Sequence, residues 1–256
     1  MLITERRGDV LDVVLDRPEA YNSINPELRD ALVDVFDTAE DNGVRAIVIR
    51  GNGRGFCAGA DLKAARPTTP GVATTQRMRM STQKLVRSFL DCPVPVVSAV
   101  HGVAAGIGLT LALGADLCIA ADDAKFTPAF VQRAIVPDGG IAHWMPRLVG
   151  MALTKDFLMR GEPWPASKAA ELHLISRIVP ADDLVRAAYE TAEHLAQMPT
   201  VTLSLLKQML AQSFDTDLVA TLLAERTAQG LSAITEDAGE GTRAFIEKRP
   251  AVFTGR

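Results

Sequence analysis

The sequence predicts an α/β fold, for three reasons. Short β-branched apolar runs alternate with stretches of helical periodicity, which is typical of strands connected by helices. Glycine-bearing turns follow two of these runs, at 55–62 and 102–108. Beyond about residue 182 the strand pattern stops and only helical periodicity continues. The predicted strands lie at 10–15, 44–50, 94–100 and 116–121.

The first predicted helix begins at Asn25 and Pro26, after the first strand and a turn. Asn25 suits the N-cap, and Pro26 suits the first helical position because a helix has no use for an N–H there. Gly43 ends the helical pattern before the second strand. A further helix is predicted at 74–90, between the second and third strands.

The C-terminal quarter is predicted to consist of helices without strands. Such a tail packs either on its own core or on a neighbouring subunit. We therefore divide the chain into a core at 1–195 and a C-terminal helical region at 196–256, whose oligomerisation role is implied only by the family resemblance given below. The predicted helices lie at 183–197, 203–213, 217–234 and 236–247.

The composition is that of a globular protein with one large domain. Of the 256 residues, 48% are hydrophobic and 23% are charged, which is ample for an apolar core. The net charge of -4 argues against a nucleic-acid groove, because such a groove needs a basic face. The three cysteines lack CxxC spacing and are typical of reduced, apolar cysteines.

No targeting or membrane segment is predicted. The first seven residues lack the apolar region of a signal peptide, so we expect a cytoplasmic protein. The segment between Asp91 and Asp116 carries no formal charge and is long enough to span a bilayer. Pro95 and several glycines interrupt it, which favours a buried strand, a turn and a buried helix instead.

Three common chemistries lack their motifs in this sequence. No Gly-x-Ser-x-Gly turn is present for a serine hydrolase. The four histidines show no metal-ligand spacing, so no metal site is predicted, and His101 is interpreted as structural. The turn at 102–108 is similar to the glycine pattern of nicotinamide-dependent dehydrogenases, but neither tyrosine has the lysine four residues later that those enzymes use.

The two glycine turns predict a site for a developing oxyanion. Glycine allows close backbone approach and backbone angles that other residues avoid. Two such turns, each opening a helix, can direct two free N–H groups at one oxygen, which stabilises an enolate or a tetrahedral intermediate. The helix dipole behind each N–H favours the same negative charge.

Seven segments match, in order and spacing, the motifs of one protein family. They are LDRPEAYN at 15–22, GFCAGADL at 55–62, HGVAAGIG at 101–108, VPDGG at 136–140, PRLVG at 146–150, and the segments 166–179 and 240–250. Together they resemble the crotonase (enoyl-CoA hydratase/isomerase) superfamily, and they are most similar to its phenylacetate-pathway type of enoyl-CoA isomerase. The resemblance implies a spiral of ββα repeats with a C-terminal helical trimerisation region. It also implies a trimer or hexamer, an acyl-CoA thioester substrate, and no cofactor beyond the CoA of that substrate.

The resemblance assigns the oxyanion hole to the backbone N–H groups of Ala60 and Ile107. For Lys63 and for Lys248, the latter reaching from a neighbouring subunit, an ordinary solvated role is an equal alternative to contact with CoA phosphates. Asp61 suits capping of the short helix that follows better than it suits acid catalysis. The residues that the resemblance places around the substrate and its CoA are Ala58, Gly59, Asp61, Leu62, Lys63, Gly106 and Lys248.

The chain departs from the hydratases of this family at both catalytic glutamates. The resemblance places these positions at Thr110 and Phe130, neither of which transfers protons as a carboxylate does. Asp138 falls where relatives without the glutamate pair keep a catalytic aspartate. From the sequence alone, Asp138 is also a good N-cap for the helix that follows.

Our hypothesis is that the two amides acidify the α-carbon of a thioester and that Asp138 moves a proton along the acyl chain. This would shift a double bond or assist a ring rearrangement. Three alternatives stay open: a hydratase that uses other acids, a hydrolase or dehalogenase with Asp138 as nucleophile, and a non-catalytic acyl-CoA binder.

Overall fold

The computed structural model describes residues 1–64 and 72–256, and its architecture is α/β, as predicted. The strands are β1 (Leu2–Arg7), β2 (Val10–Leu15), β3 (Ala46–Gly51), β4 (Val96–Val100), β5 (Val103–Ala105), β6 (Leu117–Ala121), β7 (Lys125–Thr127), β8 (Trp164–Pro165) and β9 (Arg177–Val179). The helices are α1 (Pro26–Thr38), α2 (Val72–Met80), α3 (Thr82–Leu90), α4 (Ile107–Leu113), α5 (Ile141–Arg160), α6 (Ala166–Glu171), α7 (Leu184–Ala196), α8 (Thr200–Gln212), α9 (Leu218–Ala233) and α10 (Glu236–Glu247).

The centre of the molecule is a six-stranded sheet with the order β1-β2-β3-β4-β6-β9. Its pairings are parallel except for the antiparallel edge pair of β1 and β2. Helices cover both faces, so the inner strands read as continuous apolar runs rather than as an alternating pattern. All five residues of β4 are buried, which is why this strand is easy to find in the sequence.

Alternate residues of the central strands face two separate hydrophobic clusters. Ile47 and Ile49 of β3 belong to the cluster that contains Phe36 of α1. Val48, between them, belongs to the cluster that contains Ala192 of α7. Because side chains alternate across a strand, one short strand supports both layers of helices.

A second, three-stranded sheet has the order β5-β7-β8, and its strand β5 lies within the second glycine turn. Two isolated parallel bridges extend it, one between Cys57 and Ala104 and one between Ile24 and Ala60. The turn at 55–62 is therefore held from both sides by extended backbone. This arrangement places the first glycine turn directly against the second.

The predicted start of α1 is confirmed, whereas the predicted single helix at 74–90 is wrong. The Asn25 side chain accepts a hydrogen bond of 2.9 Å from the Leu28 N–H, and Pro26 occupies the first turn. The stretch at 74–90 is instead divided between α2 and α3 at Ser81. The Ser81 hydroxyl donates to the Arg77 carbonyl at 2.6 Å, and hydroxyl bonds of this kind compete with the helical ladder.

The C-terminal helices follow the predicted positions. The boundary expected at 195/196 falls in the last turn of α7, which packs on the central sheet. Lys207 of α8 donates to the Val94 carbonyl at 2.8 Å and pairs with Asp116 at 2.7 Å. These bonds fasten α8 to the core, whereas α9 has no buried residue.

The uncharged segment that starts after Asp91 forms the predicted buried strand, β4, and the predicted buried helix, α4, but the short strand β5 between them was not predicted. The turn between β4 and α4 is the second glycine turn. No helix in the described part of the chain combines the length and the apolar character needed to cross a membrane.

Candidate active site

The two glycine turns run side by side in a parallel register. The Cys57 N–H donates to the Val103 carbonyl at 3.0 Å, and the Ala105 N–H donates to the Cys57 carbonyl at 2.9 Å. These bonds pair Cys57 with Ala104. Ala60 and Ile107 each lie three residues beyond this pair, so the register brings their backbones next to each other.

A positive-φ glycine precedes each of these two residues. Gly59 has φ 96°, and a Cβ there would lie 2.9 Å from the Ala105 carbonyl oxygen and 3.5 Å from the Gly106 Cα. Gly106 has φ 54° and ψ −125°, a region that residues with a side chain avoid. The backbones of the two turns are therefore in contact at Gly59 and Gly106, the residues immediately before Ala60 and Ile107.

The N–H groups of Ala60 and Ile107 are both left free by this backbone path. The Ile24 N–H donates to the Gly59 carbonyl at 2.8 Å and the Ile24 carbonyl accepts from the Asp61 N–H at 3.0 Å. Because successive N–H groups of extended backbone point in opposite directions, the N–H of Ala60, between these two bonds, faces away from Ile24. Ile107 opens α4, whose first N–H groups have no partner within the helix. Among residues 1–64 and 72–256, no hydrogen-bond acceptor is found for either amide.

Both oxygens of the Asp61 carboxylate accept hydrogen bonds, from Arg17 and from the first glycine turn itself. It pairs with Arg17 at 2.9 Å, and its other oxygen accepts from the N–H groups of Lys63 and Ala64 at 3.0 and 3.2 Å. Burial acts to raise the pKa of Asp61, but the hydrogen bonds from Arg17 and the two amides lower it on balance. Asp61 is thus ionised and holds the turn that carries Ala60.

The motif LDRPEAYN has a structural role in this site that the sequence does not reveal. Besides the pair that Arg17 makes with Asp61, the buried Asn22 side chain donates to the Gly55 carbonyl at 2.9 Å. The Tyr21 carbonyl accepts from the Ala58 N–H at 2.9 Å. This motif therefore braces the first glycine turn from the side opposite β5.

The remaining residues predicted around the CoA do not all lie near the glycine turns, and they differ in how far they are exposed. Leu62 and Lys63 are exposed at the outer end of the first turn, and Ala58 is half-buried within it. Lys248 ends α10 with φ 54° and is also exposed. None of the hydrogen bonds found in the described residues joins Lys248 to the glycine turns. His101 bonds the Gly53 carbonyl through Nε2 at 2.9 Å.

Asp138 lies in the loop before α5, half-buried and without the capping role that the sequence also allows. The N-cap of α5 is Gly140, and no side chain caps the helix. Within the described part of the chain, no other residue makes a hydrogen bond or an ion pair with the Asp138 carboxyl. Burial raises the pKa of this carboxyl, and a bond from its own N–H opposes the rise only in part.

The Asp138 loop rests on the helix whose first amide is that of Ile107. A Cβ placed on Gly139 would lie 2.2 Å from the Thr110 hydroxyl and 3.4 Å from Cδ1 of Ile107. The Thr110 hydroxyl donates to the Gly139 carbonyl at 3.1 Å. The structure thus brings together the second glycine turn and the loop that carries the lone carboxyl.

The two positions expected to hold the hydratase glutamates are both part of the core. Thr110 is 0% exposed and Phe130 is 2% exposed. Phe130 belongs to the main hydrophobic cluster, which also contains Ile107. Neither side chain supplies a group that can deliver or remove a proton at neutral pH.

Comparison with known proteins places this chain in one family. The family model described as Enoyl-CoA hydratase/isomerase matches residues 5–256. The chain is 38% identical over 250 residues to 1,2-epoxyphenylacetyl-CoA isomerase of Escherichia coli K12, covering 96% of this chain and 95% of that one. It is 34% identical to 2,3-dehydroadipyl-CoA hydratase of the same organism, covering 100% and 99%.

Solved structures agree with the sequence comparison. The crystal structure of an enoyl-CoA hydratase from Bacillus anthracis matches with a TM-score of 0.91 at 29% identity, over 100% of this chain and 99% of that one. The crystal structure of an enoyl-CoA hydratase from Mycobacterium smegmatis matches with a TM-score of 0.90 at 28% identity, over 98% of each chain. The fold is the crotonase fold, and the chain belongs to the enoyl-CoA hydratase/isomerase family, with relatives of the phenylacetate-pathway type.

Proposed function

We propose that this member of the family is an enoyl-CoA isomerase with a single catalytic carboxylate, Asp138. The observation that carries the proposal is a half-buried carboxyl without a partner residue, on a loop seated against the helix that begins with the free Ile107 amide. In this proposal the N–H groups of Ala60 and Ile107 form the oxyanion hole. The coarser conclusion, an acyl-CoA enzyme of the hydratase/isomerase type, does not depend on this choice.

The proposed reaction moves a proton between two carbons of the acyl chain. The thioester oxygen accepts hydrogen bonds from the two amides, which lowers the energy of the enolate formed when the α-proton leaves. Asp138 takes that proton and returns it at another carbon, so that the double bond shifts. A raised pKa suits Asp138 to both steps, because proton transfer is most efficient when the donor and acceptor pKa values are close.

Hydration is the second candidate, and one of the relatives, 2,3-dehydroadipyl-CoA hydratase, is named for it. Against it stand the side chains at the two expected glutamate positions, Thr110 and Phe130, which are both buried in the core. The similarity to 1,2-epoxyphenylacetyl-CoA isomerase favours rearrangement at a single site. Nucleophilic attack by Asp138, as in a hydrolase or dehalogenase, and binding without turnover are the other outcomes to be tested.

The substrate is proposed to enter along the first glycine turn, with its CoA against Ala58, Gly59, Leu62 and Gly106. Lys63 is exposed on this turn and is proposed to contact a CoA phosphate. Lys248 of a neighbouring subunit is proposed to do the same. No cofactor other than the CoA of the substrate is needed for this chemistry.

The helical tail is proposed to bind further copies of this chain, giving a trimer or a hexamer. A groove of about 560 Å³ between α8 and α9 is lined by apolar side chains, among them Leu206, Met209 and Leu222, and by as many polar ones, including Glu225 and Arg226. Several large apolar side chains of the tail are more than half exposed, which is unusual for a monomer. They are Leu210, Phe214, Leu218, Val219, Leu222, Leu223, Ile234, Phe245, Ile246 and Val252.

Sedimentation velocity is expected to show a trimer or a hexamer, and Leu222→Glu is expected to shift the population to smaller species. A buried carboxylate in an apolar interface is costly, which is the reason for the shift. Val185→Glu, at an exposed apolar position of α7, is the matched control and should leave the assembly intact. A wild-type protein that sediments as a monomer would contradict the proposed trimer or hexamer.

A panel of acyl-CoA esters tests the proposed activity. Purified enzyme is supplied with a 3-enoyl-CoA, a 2-enoyl-CoA and a halogenated aroyl-CoA in water, in deuterium oxide and in ¹⁸O-labelled water, and products are separated by liquid chromatography and identified by mass spectrometry. Interconversion of the two enoyl esters, faster than any addition of water, is the expected result. Faster hydration would favour the hydratase. Solvent oxygen in the Asp138 carboxyl would indicate a nucleophile, and binding without turnover would leave only the acyl-CoA binder.

A further inference from the structure

Thr110 makes a hydrogen bond that is unusual for a threonine inside a helix. A threonine in this setting commonly bonds the carbonyl four residues earlier, which is that of Gly106. Here the Gly106 carbonyl accepts from the Leu109 N–H at 2.9 Å, and the Thr110 hydroxyl instead leaves its own helix. It donates to the Gly139 carbonyl at 3.1 Å, in a contact that is fully buried.

Among the described residues, the other hydrogen bonds that this loop accepts are long. The Ile141 N–H approaches the Asp138 carbonyl at 3.4 Å, and Trp144 Nε1 approaches the Gly139 carbonyl at 3.5 Å. Both distances are long for N–H···O bonds. Among the described residues, the bond from Thr110 is the shortest to residues 136–139. Two consecutive glycines follow Asp138, so no side chain of the next two residues fixes the peptide beyond it.

We propose that Thr110 is a positioning residue for Asp138, an inference that rests on the proposed isomerase function. By holding the carbonyl of Gly139, the residue after Asp138, the hydroxyl sets the distance of the Asp138 carboxyl from the Ile107 amide. The Ile107 amide and the Asp138 carboxyl are then both positioned by α4, because Ile107 and Thr110 lie one turn apart on this helix. The position that the resemblance gives to a hydratase glutamate thus holds a residue that orients the remaining carboxylate.

The test compares Thr110→Val, which keeps the shape of the side chain and removes the donor, with Thr110→Ser, which keeps the donor. A displacement of about 1 Å in a catalytic group can cost about 10²-fold in rate, so we expect Thr110→Val to lower kcat about 10- to 100-fold. KM should change little, because in this proposal the buried Thr110 acts on the position of Asp138 and not on the thioester. Thr110→Ser should restore most of kcat, and Trp144→Phe, which removes the longer contact to the same carbonyl, should have the smaller effect.

The pH profile supplies a readout that loss of stability alone would not move. We expect the acidic limb of the kcat profile to shift in Thr110→Val and to stay in place in Thr110→Ser. Wild-type kcat in Thr110→Val would overturn the proposal, and so would equal losses in Thr110→Val and Thr110→Ser that follow their melting temperatures. A larger loss in Trp144→Phe than in Thr110→Val would also overturn it. If Asp138→Asn is inactive while Thr110→Val is normal, only the positioning role fails; if Asp138→Asn retains full activity, the proposed function fails first.

Discussion

Asp138→Asn is expected to lower kcat for double-bond migration by about 10²- to 10⁴-fold, the usual contribution of a positioned acid–base group. The amide has nearly the shape of the carboxyl but cannot accept and return the α-proton. KM should be nearly unchanged, because in the proposed complex the backbone N–H groups of Ala60 and Ile107 bind the thioester and the substitution leaves them in place. The measurement is the interconversion of 3-enoyl-CoA and 2-enoyl-CoA by purified wild-type and variant protein.

The same substitution is expected to stabilise the fold at neutral pH. Burial raises the pKa of Asp138, so the folded protein binds a proton more tightly than the unfolded chain does. A group of this kind favours folding below its unfolded pKa, and that contribution is lost as pH rises through the folded pKa. At pH 7 the ionised carboxyl is therefore a cost, and urea unfolding should find Asp138→Asn at least as stable as the wild type.

Activity should depend on pH in the opposite direction. In the proposed mechanism Asp138 acts first as a base, so kcat/KM should fall as pH drops through the pKa of Asp138 in the free enzyme. Because that pKa is raised, the acidic limb should lie above the value of about 3.9 that is usual for aspartate. Disappearance of this limb in Asp138→Asn would link it to the residue.

Asparagine before Gly139 is prone to deamidation, which would regenerate an aspartate. Intact-mass measurement of fresh protein controls for this, and Asp138→Ala provides a variant that cannot revert in that way. Unchanged double-bond migration in both variants would contradict the assignment of Asp138. In that case the chemistry would belong to another residue or to another reaction.

Gly106→Ala should lower kcat by about 10²- to 10³-fold, which is the cost of losing one donor from an oxyanion hole. Gly106 has φ 54° and ψ −125°, and alanine would relax away from these angles. Since ψ of Gly106 sets the direction of the next peptide, relaxation turns the Ile107 N–H out of the site. The nearest atom to the new methyl group is the Gly59 Cα at 3.5 Å, so direct collision is not the cause.

Gly150→Ala is the matched control for this prediction. Gly150 interrupts α5 with φ 77° and ψ 163°, and nothing lies within 4 Å of a Cβ placed there. Both variants should lose about 1–3 kcal/mol of unfolding free energy through backbone strain. Only Gly106→Ala should lose kcat. Equal losses of kcat in the two variants would mean that strain, rather than the direction of the Ile107 amide, accounts for the effect.

Local sequence signals were sufficient for the elements of this fold whose physics is local. Asn25 and Pro26 predict the start of α1 because capping and the missing N–H of proline act within one helical turn. The buried run of β4 predicts a central strand because both of its faces are covered. The break at Ser81 was missed, since a serine within a helical pattern only competes with the helix and its context decides the outcome.

The sequence alone was enough to identify the family and the two glycine turns, and it supplied Asp138 as the candidate catalytic residue and Thr110 and Phe130 as the predicted glutamate positions. Only the tertiary structure decided how these parts meet: the pairing of Cys57 with Ala104, the ion pair of Arg17 with Asp61, and the bond from Thr110 to Gly139. The physical reason is separation along the chain. Each of these contacts joins segments about 30 to 50 residues apart, and packing of the whole core, rather than any local preference, selects the partner.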